Sequence, residues 1–481
     1  MNTLRCFSIG RKLLVLSLAL AFSLNAGAQR REVHILSVND MHATIEAMPQ
    51  LAAIVDSLRT LYPSLLVLSA GDNRTGNPLS DMYEPSSFPM VALMNQMGFN
   101  ASALGNHDFD MQSLPKLIGL SNFRYLCANV FPDAASGIRT LPYQVFDVNG
   151  VRVGVIGVVQ LGNHGIPATH PDNLKGVTFR PATEVLGQYD WVSRQCDATV
   201  LLSHLGYDDD VKLTRQFPWL DLIIGGHSHT QLDADEPLHN GILVTQNRNK
   251  LRNATHITLT VDSGYVVAKK AEYIPVRTFK SHNQLIEAMV HHFSDNASFR
   301  RVVARLAAPF ENIEEIGCMI CDAYVSEGHA DIGIQNPGGV RVESMPEGDI
   351  TVLDVLKMDP FCNMGVEMDL TGKEVLELLN AYSQEIRNRV PYVSGILCEI
   401  TPESDNDQIV KSIRLLTLDG KPLDMKKTYR VVTNSYVSAT TNTVRPERVH
   451  MMNTGTADMI MRFLEKRRIV NYQGIRCHVV R

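Results

Sequence analysis

The chain has 481 residues, of which 44% are hydrophobic and 20% are charged, and its formal net charge is −6. This length is too great for one typical domain and suits two. The negative charge offers no basic surface to a nucleic acid polymer, so we expect no partner of that kind.

The first 28 residues have the pattern of a cleavable export signal. Basic residues precede an apolar run from Leu13 to Leu24, and the small residues Ala26 to Ala28 follow it. A membrane-spanning helix needs roughly 20 apolar residues, so this run is too short to act as an anchor. We predict a signal peptide over residues 1–28 and a periplasmic or secreted protein, with no membrane span in the mature chain.

Seven cysteines remain after the predicted cleavage, and an odd number in an oxidising compartment leaves at least one unpaired. A disulfide-held scaffold is therefore not expected. Cys318 and Cys321 form a CxxC pattern within an apolar helical stretch, with no second CxxC in the chain. We interpret the pair as buried packing rather than as a redox or metal motif.

Residues 29–280 alternate short apolar runs with amphipathic stretches, which predicts a layered α/β domain. The predicted strands are Val33–Val38, Leu65–Ser69, Val151–Val159, Ala198–Ser203 and Leu222–Ile224. The predicted helices are Pro49–Leu61, Pro89–Met97 and Ala182–Arg194.

A polar-faced pattern over residues 281–306 predicts a single linker helix between two domains. Residues 307–481 then predict a second, smaller α/β domain. Its predicted helices are Gly317–Glu327, Val352–Lys357, Gly372–Asn388 and Ala457–Lys466, and its predicted strands are Asp331–Gln335, Gly365–Leu370 and Thr428–Thr433.

Five short polar motifs mark the first domain, and most of them directly follow a predicted strand. In chain order they are Asp40-Met-His42, Gly71-Asp-Asn73, Gly105-Asn-His-Asp108, Ser203-His204 and Gly226-His-Ser-His229. The carboxyl ends of strands converge at one rim of an open α/β sheet, so residues far apart in sequence can meet there.

Imidazole and carboxylate groups in this combination suit divalent zinc, manganese, iron or cobalt. Two such ions a few ångströms apart can clamp both sides of a phosphoryl displacement. Each motif alone is weak, because isolated histidines and aspartates are common in cores and turns. Their joint occurrence at strand ends predicts a two-metal site.

These motifs, in this order, resemble the calcineurin-like metallophosphoesterase superfamily, whose fold is a four-layer α/β sandwich. The resemblance assigns one metal ion to Asp40, His42, Asp72 and His229. It assigns the second ion to Asp72, Asn106, His204 and His227, with Asp72 bridging both. It leaves the substrate open.

The motif around Asn106 continues to Phe109 and Asp110. Resemblance to the 5′-nucleotidase branch makes His107 and Asp110 a catalytic pair, in which the carboxylate holds the tautomer and charge of the imidazole. The alternative interpretation of Asp110 is an acid that only caps a turn.

Landmarks in residues 307–481 resemble the C-terminal substrate-binding domain of the same family. The implied nucleotide-contacting residues are Asn336, Gly338, Gly339, Arg341, Phe361, Tyr436 and Asn442. Glycines let a backbone approach a ligand, Arg341 offers a planar fork to phosphate, and aromatic rings stack on a base. The alternative is that the two aromatics are core residues and the glycines a simple turn.

Two departures from the family pattern concern the substrate. Cys318 stands where the family usually has asparagine, and the arginine expected before it is missing. Residues 438–443 replace a segment that usually carries a ribose-binding aspartate, and Asn442 would supply a neutral group instead.

We therefore expect a secreted, two-metal hydrolase of nucleotide phosphate esters. The alternatives are a 2′,3′-cyclic-nucleotide phosphodiesterase with 3′-nucleotidase activity, a UDP-sugar hydrolase, or a non-catalytic binding protein on the same fold. The oligomeric state stays open.

Overall fold

The computed structural model describes residues 30–162, 164–232, 238–385, 389–403, 406–440 and 448–480. The predicted signal peptide, residues 1–28, lies outside these ranges, and so does Asn442. Among the helices of the described ranges, none has both the length and the apolar character required to cross a membrane.

The first domain contains two large sheets and flanking helices. Its strands are β1 (Arg31–Val38), β2 (Leu66–Ser69), β3 (Ala101–Ala103), β4 (Arg124–Leu126), β5 (Val130–Pro132), β6 (Tyr143–Val148), β7 (Val151–Val159), β8 (Val177–Phe179), β9 (Ala198–His204), β10 (Leu222–Gly225), β11 (Leu243–Gln246), β12 (Asn253–Asp262) and β13 (Tyr265–Pro275). Its helices are α1 (Met48–Leu61), α2 (Pro78–Asp81), α3 (Phe88–Met97), α4 (Leu114–Leu120), α5 (Ala182–Val185), α6 (Asp190–Gln195), α7 (Tyr207–Gln216) and α8 (Gln284–Ser294).

The two sheets stack face to face. The strand orders are β13-β12-β1-β2-β3-β4 and β11-β10-β9-β7-β6, and β1 to β4 are parallel, as are β11, β10, β9 and β7. Their inner faces share a core that includes Ile35, Leu68, Val155 and Val200. Helices α1, α3 and α4 pack on the outer face of the first sheet, and α6 and α7 pack on that of the second. The predicted four-layer α/β sandwich is therefore confirmed.

The five strands predicted for this domain all form, because their apolar runs are buried between layers. The helix predicted over Ala182–Arg194 is instead divided, with a 3₁₀ turn at Leu186–Tyr189 between α5 and α6. Gly187 lies within that turn, and glycine has a low propensity for a helix interior.

The prediction of one linker helix over residues 281–306 is wrong in its second half. Helix α8 ends at Ser294, a 3₁₀ turn covers Ala297–Arg300, and Val302–Leu306 forms strand β14. Three of its five residues, Val303, Ala304 and Leu306, are buried, and the strand pairs with Gly348–Thr351, a partner that only the folded chain supplies. Helix α8 is also no free connector, because its residues Ile286, Val290 and Phe293 are buried in the core of the first domain.

The second domain contains three sheets. Besides β14, its strands are β15 (Ile332–Gln335), β16 (Gly348–Thr351), β17 (Met364–Thr371), β18 (Tyr392–Ser394), β19 (Leu397–Glu403), β20 (Asn406–Leu416), β21 (Thr428–Asn434), β22 (Val449–Gly455), β23 (Ile469–Val470) and β24 (His478–Val480). Its helices are α9 (Ile313–Gly328), α10 (Val352–Met358), α11 (Gly372–Glu385), α12 (Ser435–Thr440) and α13 (Thr456–Arg467).

The central sheet of this domain has the order β18-β15-β21-β17-β22, and the smaller sheets have the orders β16-β14-β23 and β20-β19-β24. Helix α9 begins at a capping residue, Asn312, whose side chain accepts the backbone N–H groups of Glu314 and Glu315. The helix buries Ile316, Met319 and Ile320 against the sheet. The predicted second α/β unit is therefore present.

Candidate metal centre

The polar motifs of the first domain meet at one edge of its two sheets. Asp40 and His42 follow β1, Asp72 follows β2, and Asn106 follows β3. In the second sheet, His204 ends β9, and His227 and His229 follow β10. These strands are parallel within each sheet, so their carboxyl ends bring all seven side chains to a common rim.

Five of these residues have a backbone conformation that is uncommon for residues other than glycine. Their φ angles are 49° for Asp40, 45° for His42, 51° for Asp72, 74° for His227 and 55° for His229. Such conformations cost about 1–3 kcal/mol each and persist only where the surroundings impose them. Their concentration at one rim is typical of a functional site.

Asp40, His42 and His229 form the first group. Asp40 Oδ1 lies 3.2 Å from His229 Nε2, and the Nε2 atoms of His42 and His229 are 3.3 Å apart. His42 Nδ1 lies 3.1 Å from the carbonyl oxygen of Thr75 and donates to it, so His42 Nε2 presents a lone pair. Burial holds the pKa of His42 well below its usual range, which keeps the ring neutral.

Asp40, Asp72 and His204 form a second group. His204 donates from Nδ1 to the carbonyl oxygen of Ala70 at 2.7 Å, and its Nε2 lies 3.1 Å from Asp72 Oδ2. This contact is an ion pair, and among the described residues Nε2 makes no hydrogen bond of regular geometry. Burial lowers the pKa of His204, but the charges of Asp72 and Asp40 outweigh it and raise the pKa to about 10. The pocket thus favours a positive charge at this point.

Asn106 and His227 stand next to that group. The amide oxygen of Asn106 is 3.0 Å from His227 Nδ1, and the rings of His227 and His204 are 5.3 Å apart. Burial and repulsion by His204 lower the pKa of His227 to about 3. His227 is therefore neutral, which is the form of imidazole that binds metals.

The residue types fit divalent cations. Within each group, buried carboxylate oxygens and imidazole nitrogens lie within 4.8 Å of one another, and a cation between them would satisfy both kinds of atom. All the predicted ligands are nitrogen or oxygen donors, a set that several divalent metals accept.

The loop of Asn106 approaches Asp72 very closely. A Cβ atom on Gly105 would lie 2.1 Å from Asp72 Oδ1, so no larger residue fits at this position. The backbone N–H of His107 donates to the same oxygen at 2.8 Å. Gly105 therefore leaves the space that the Asp72 carboxylate occupies.

His107 and Asp110 form a close pair beside these groups. His107 Nδ1 lies 2.5 Å from Asp110 Oδ2, and Thr169 donates to the other carboxylate oxygen at 2.7 Å. Burial lowers the pKa of His107, but the charges of Asp110 and Asp72 outweigh it and raise the pKa. The structure thus brings together the two residues that the sequence predicted as a pair.

Asp108 is a site residue to which the sequence assigned no role. It is completely buried, and its Oδ2 accepts the backbone N–H groups of Gly105 at 2.8 Å and Asp72 at 3.1 Å. Burial and the charge of Asp72 raise the pKa of Asp108 to about 7. Its place in the polar motif was the available signal, but its role depends on a contact across 36 residues.

Comparison with known proteins decides the family. Residues 33–231 match the model of the calcineurin-like phosphoesterase domain, and residues 299–444 match that of the 5′-nucleotidase C-terminal domain. The chain belongs to the 5′-nucleotidase family of calcineurin-like phosphoesterases. It is therefore a metal-dependent phosphoester hydrolase, and the family implies divalent metal ions.

The relatives of this chain align with most of its length. The chain is 29% identical to a 5′-nucleotidase of Vibrio cholerae, with 84% of each chain aligned. It is 26% identical to the protein UshA of Yersinia enterocolitica, over 84% of this chain and 85% of the relative. A solved structure of a 5′-nucleotidase precursor from Thermus thermophilus superimposes with a TM-score of 0.83 at 25% identity, covering 94% of this chain and 99% of the other.

In the 5′-nucleotidase C-terminal domain, the predicted contact residues follow strand β15. Asn336 is buried and accepts a hydrogen bond from Asn434 at 2.8 Å. A Cβ atom on Gly339 would lie 2.7 Å from Asn336 Oδ1, whereas Gly338 has no such close contact. Arg341 comes next, and the carboxylates of Asp72 and Asp110 are among the charges that act on its guanidinium.

The two predicted aromatic residues have different surroundings. The Phe361 ring stacks on His107, with 5.8 Å between ring centroids and 25° between planes, and Arg341 lies over Phe361 at 5.6 Å. Tyr436 lies in α12 and packs partly against the core of its domain. The structure thus brings Arg341 and Phe361 to the predicted catalytic pair, His107 and Asp110.

The two domains are also in contact at a basic cavity of about 360 Å³. Its charged lining consists of Lys250, Arg277, Arg341 and Lys357 with one acid, Glu46. Lys250 Nζ donates to the carbonyl oxygen of Arg341 at 2.5 Å, and Lys357 pairs with Glu46 at 2.9 Å. These contacts join the second domain to the first.

Proposed function

We propose that the chain is a two-metal 5′-nucleotidase that releases phosphate from nucleoside monophosphates. The observation that carries this proposal is the position of His107 and Asp110. They lie between the side chains of metal-ligand type and the second-domain residues Arg341 and Phe361. A phosphate at the metals and a nucleoside at the second domain would thus share one cleft.

Asp40, His42, Asp72 and His229 would hold one ion, and Asp72, Asn106, His204 and His227 would hold the other. Zinc, manganese, cobalt or iron fits this donor set. When bound, divalent ions supply Lewis-acid charge at the phosphoryl group and an activated water.

The protein residues then orient the substrate and its leaving group. Asp110 accepts a hydrogen bond from Nδ1–H of His107, which fixes the tautomer of the ring. Nε2 is then left to face the substrate. That nitrogen can interact with the leaving oxygen as its charge develops. Arg341 carries a planar, charged fork that binds phosphoryl oxygens in a bidentate manner. Phe361 offers an aromatic ring on which a base can stack.

A substrate panel tests this proposal. Released phosphate is measured for AMP, 2′,3′-cyclic AMP, UDP-glucose and an aryl phosphate after the protein is loaded with zinc or manganese. We expect the highest kcat/KM for AMP. A preference for the cyclic nucleotide or the sugar nucleotide would contradict the monophosphate assignment while leaving the hydrolase intact.

Variants of the site provide the controls. Asp72→Asn and His107→Ala should lose most of the aryl phosphatase activity, while His291→Ala, an exposed histidine of α8, should keep it. Aryl phosphate hydrolysis at the wild-type rate by both site variants would disprove the assignment. Metal analysis of the purified protein identifies the native ions.

Export from the cytoplasm is part of the same proposal, and it is supported by the sequence pattern of residues 1–28. N-terminal sequencing of the protein recovered from the periplasm or the medium tests it. A mature chain that begins near residue 29 is expected. A chain that keeps residues 1–28 would contradict it.

A further inference from the structure

A second group of metal-ligand type lies in the second domain, outside the catalytic centre. Glu314 lies in the first turn of α9, and Cys477 and His478 lie where the chain enters β24. Their ligand atoms are all within 4.8 Å of one another. Glu314 Oε1 is 3.7 Å from Cys477 Sγ and 3.5 Å from His478 Nδ1. A thiol, an imidazole and a carboxylate therefore converge on one point.

The orientation of His478 suits a metal ligand. Its Nε2 lies 2.9 Å from the carbonyl oxygen of Pro391 and donates a hydrogen bond to it. The other nitrogen, Nδ1, then presents its lone pair to Glu314 and Cys477. Metal-binding histidines commonly use this arrangement, because the backbone carbonyl fixes both the tautomer and the ring plane. The ring also stacks on Tyr392, with centroids 5.8 Å apart.

Cys477 supplies the thiol of the group. It is buried, and its Sγ donates a hydrogen bond to Glu314 Oε1 at 3.7 Å. A metal ion would replace the thiol proton, because the thiolate is the form of cysteine that binds metals. Cys318, also buried, lies one helical turn after Glu314 in α9.

Glu314 is held rigidly against the segment that carries the other ligands. Its Oε1 accepts the backbone N–H groups of Cys477 at 3.1 Å and His478 at 3.0 Å. Arg476 lies on the other side of the carboxylate, with Nε 3.4 Å from Oε2. Oε1 thus remains directed at the thiol and the imidazole.

We propose that Cys477 Sγ, His478 Nδ1 and Glu314 Oε1 bind a zinc ion, with a water molecule as the fourth ligand. Zinc binds sulfur, nitrogen and oxygen ligands, and a thiolate disfavours the harder magnesium and calcium ions. Binding releases the thiol proton of Cys477 to the solvent and involves no change of oxidation state. The ion would fasten the C-terminal strand to helix α9.

A disulfide between Cys318 and Cys477 is the competing explanation for the two thiols. It would use neither His478 nor Glu314, although both side chains are oriented towards Cys477 by separate hydrogen bonds. In the structure the two cysteines are free thiols. The converging imidazole and carboxylate therefore favour the zinc site.

Cobalt substitution distinguishes this site from the catalytic centre. The predicted catalytic ligands are nitrogen and oxygen atoms, so those ligands cannot give a thiolate-to-cobalt charge-transfer band in the near ultraviolet, whereas Cys477 can. We expect this band in the reduced full-length protein, and one bound metal ion per chain beyond those of the catalytic centre. Cys477→Ser should lose the band and the additional ion while it keeps phosphatase activity. Cys196→Ser, which changes a cysteine of the first domain, should keep the band and the additional ion.

A second variant guards against misfolding of the first. If Cys477→Ser does not fold, His478→Gln should lose the additional ion in a protein that still hydrolyses aryl phosphate. Absence of the band and of the additional ion in the reduced wild-type protein would overturn the proposal. So would a Cys318–Cys477 disulfide in protein purified without reductant, detected as an intact mass lower by the two thiol hydrogens.

Discussion

The ring of Phe361, from the second domain, stacks on the ring of His107, from the first. His107 is in turn held by Asp110, whose carboxylate accepts a hydrogen bond from Nδ1 at the edge of the imidazole. The residue predicted to contact the base thus touches the residue predicted to act on the leaving group. Substrate recognition and chemistry are expected to be coupled through this contact, and changes to either residue should separate the two contributions.

Replacement of Asp110 by asparagine should lower kcat with little change in KM. The amide keeps the shape but loses the charge that holds the tautomer of His107, and loss of such an orienting partner costs about 10- to 100-fold. Phosphate release at saturating AMP measures the effect. Asp172→Asn, at an exposed carboxylate in a nearby turn, is the matched control and should leave kcat unchanged. An unchanged kcat for Asp110→Asn would show that the acid only caps a turn.

Replacement of Phe361 by alanine should weaken turnover of AMP more than that of an aryl phosphate. Stacking of a base on an aromatic ring contributes about 1–3 kcal/mol, and a small substrate gains little of it. The measurement is kcat/KM for both substrates. Tyr265→Ala, at an exposed aromatic residue, serves as the control. Equal losses on both substrates would instead assign Phe361 to the support of His107.

Replacement of Arg341 by glutamine should raise KM for every phosphate ester tested. A hydrogen bond to a charged group contributes about 1.5–3 kcal/mol, which corresponds to roughly a 10- to 150-fold loss of kcat/KM. Inhibition by free phosphate should weaken in parallel, because both bind the same guanidinium. The exposed Arg300→Gln is the control. A loss confined to nucleotides would place Arg341 away from the phosphate.

Replacement of Asp359 by asparagine should stabilise the protein at neutral pH. Burial raises the pKa of Asp359 to about 6, and its Oδ2 atom has no hydrogen-bond partner within the described ranges. The folded state binds the carboxyl proton of Asp359 more tightly than the unfolded state does. The stability that the protonated carboxyl contributes is therefore lost as the pH rises from about 4 to about 6. At pH 7 the ionised, buried carboxylate of Asp359 lowers the free energy of unfolding by about 3 kcal/mol.

Thermal unfolding at several pH values measures this effect. The difference in Tm between Asp359→Asn and wild type should grow from pH 4 to pH 7 and then stay constant. Asp369→Asn, at an exposed acid of the same domain, should show no such trend. A constant difference across the whole range would mean that the carboxyl of Asp359 does not titrate there.

Four of the strands that carry the site, β1, β2, β9 and β10, could be predicted from the sequence, because their apolar runs are local and lie between two layers. Strand β3, which precedes Asn106, was not predicted, because its three residues give too short a pattern. The seven residues predicted as ligands come in polar motifs after these strands and meet at one rim, and their role as ligands stays a prediction. Their assignment to individual ions remains a prediction. Strand β14 was missed, because a five-residue run fits a helix or a strand equally well until its partner Gly348–Thr351 is known.

The sequence by itself determined the family, the two-domain organisation and the kind of chemistry. These depend on residue types and their order along the chain, and a linear motif carries both. Only the tertiary structure decided what depends on contacts between distant segments. It stacked Phe361 on His107 and formed the hydrogen bond between the backbone N–H of Asp72 and the carboxylate of Asp108. It also brought Cys477 and His478 to Glu314 across more than 160 residues. No local pattern encodes such contacts, because they form only when separate elements pack together.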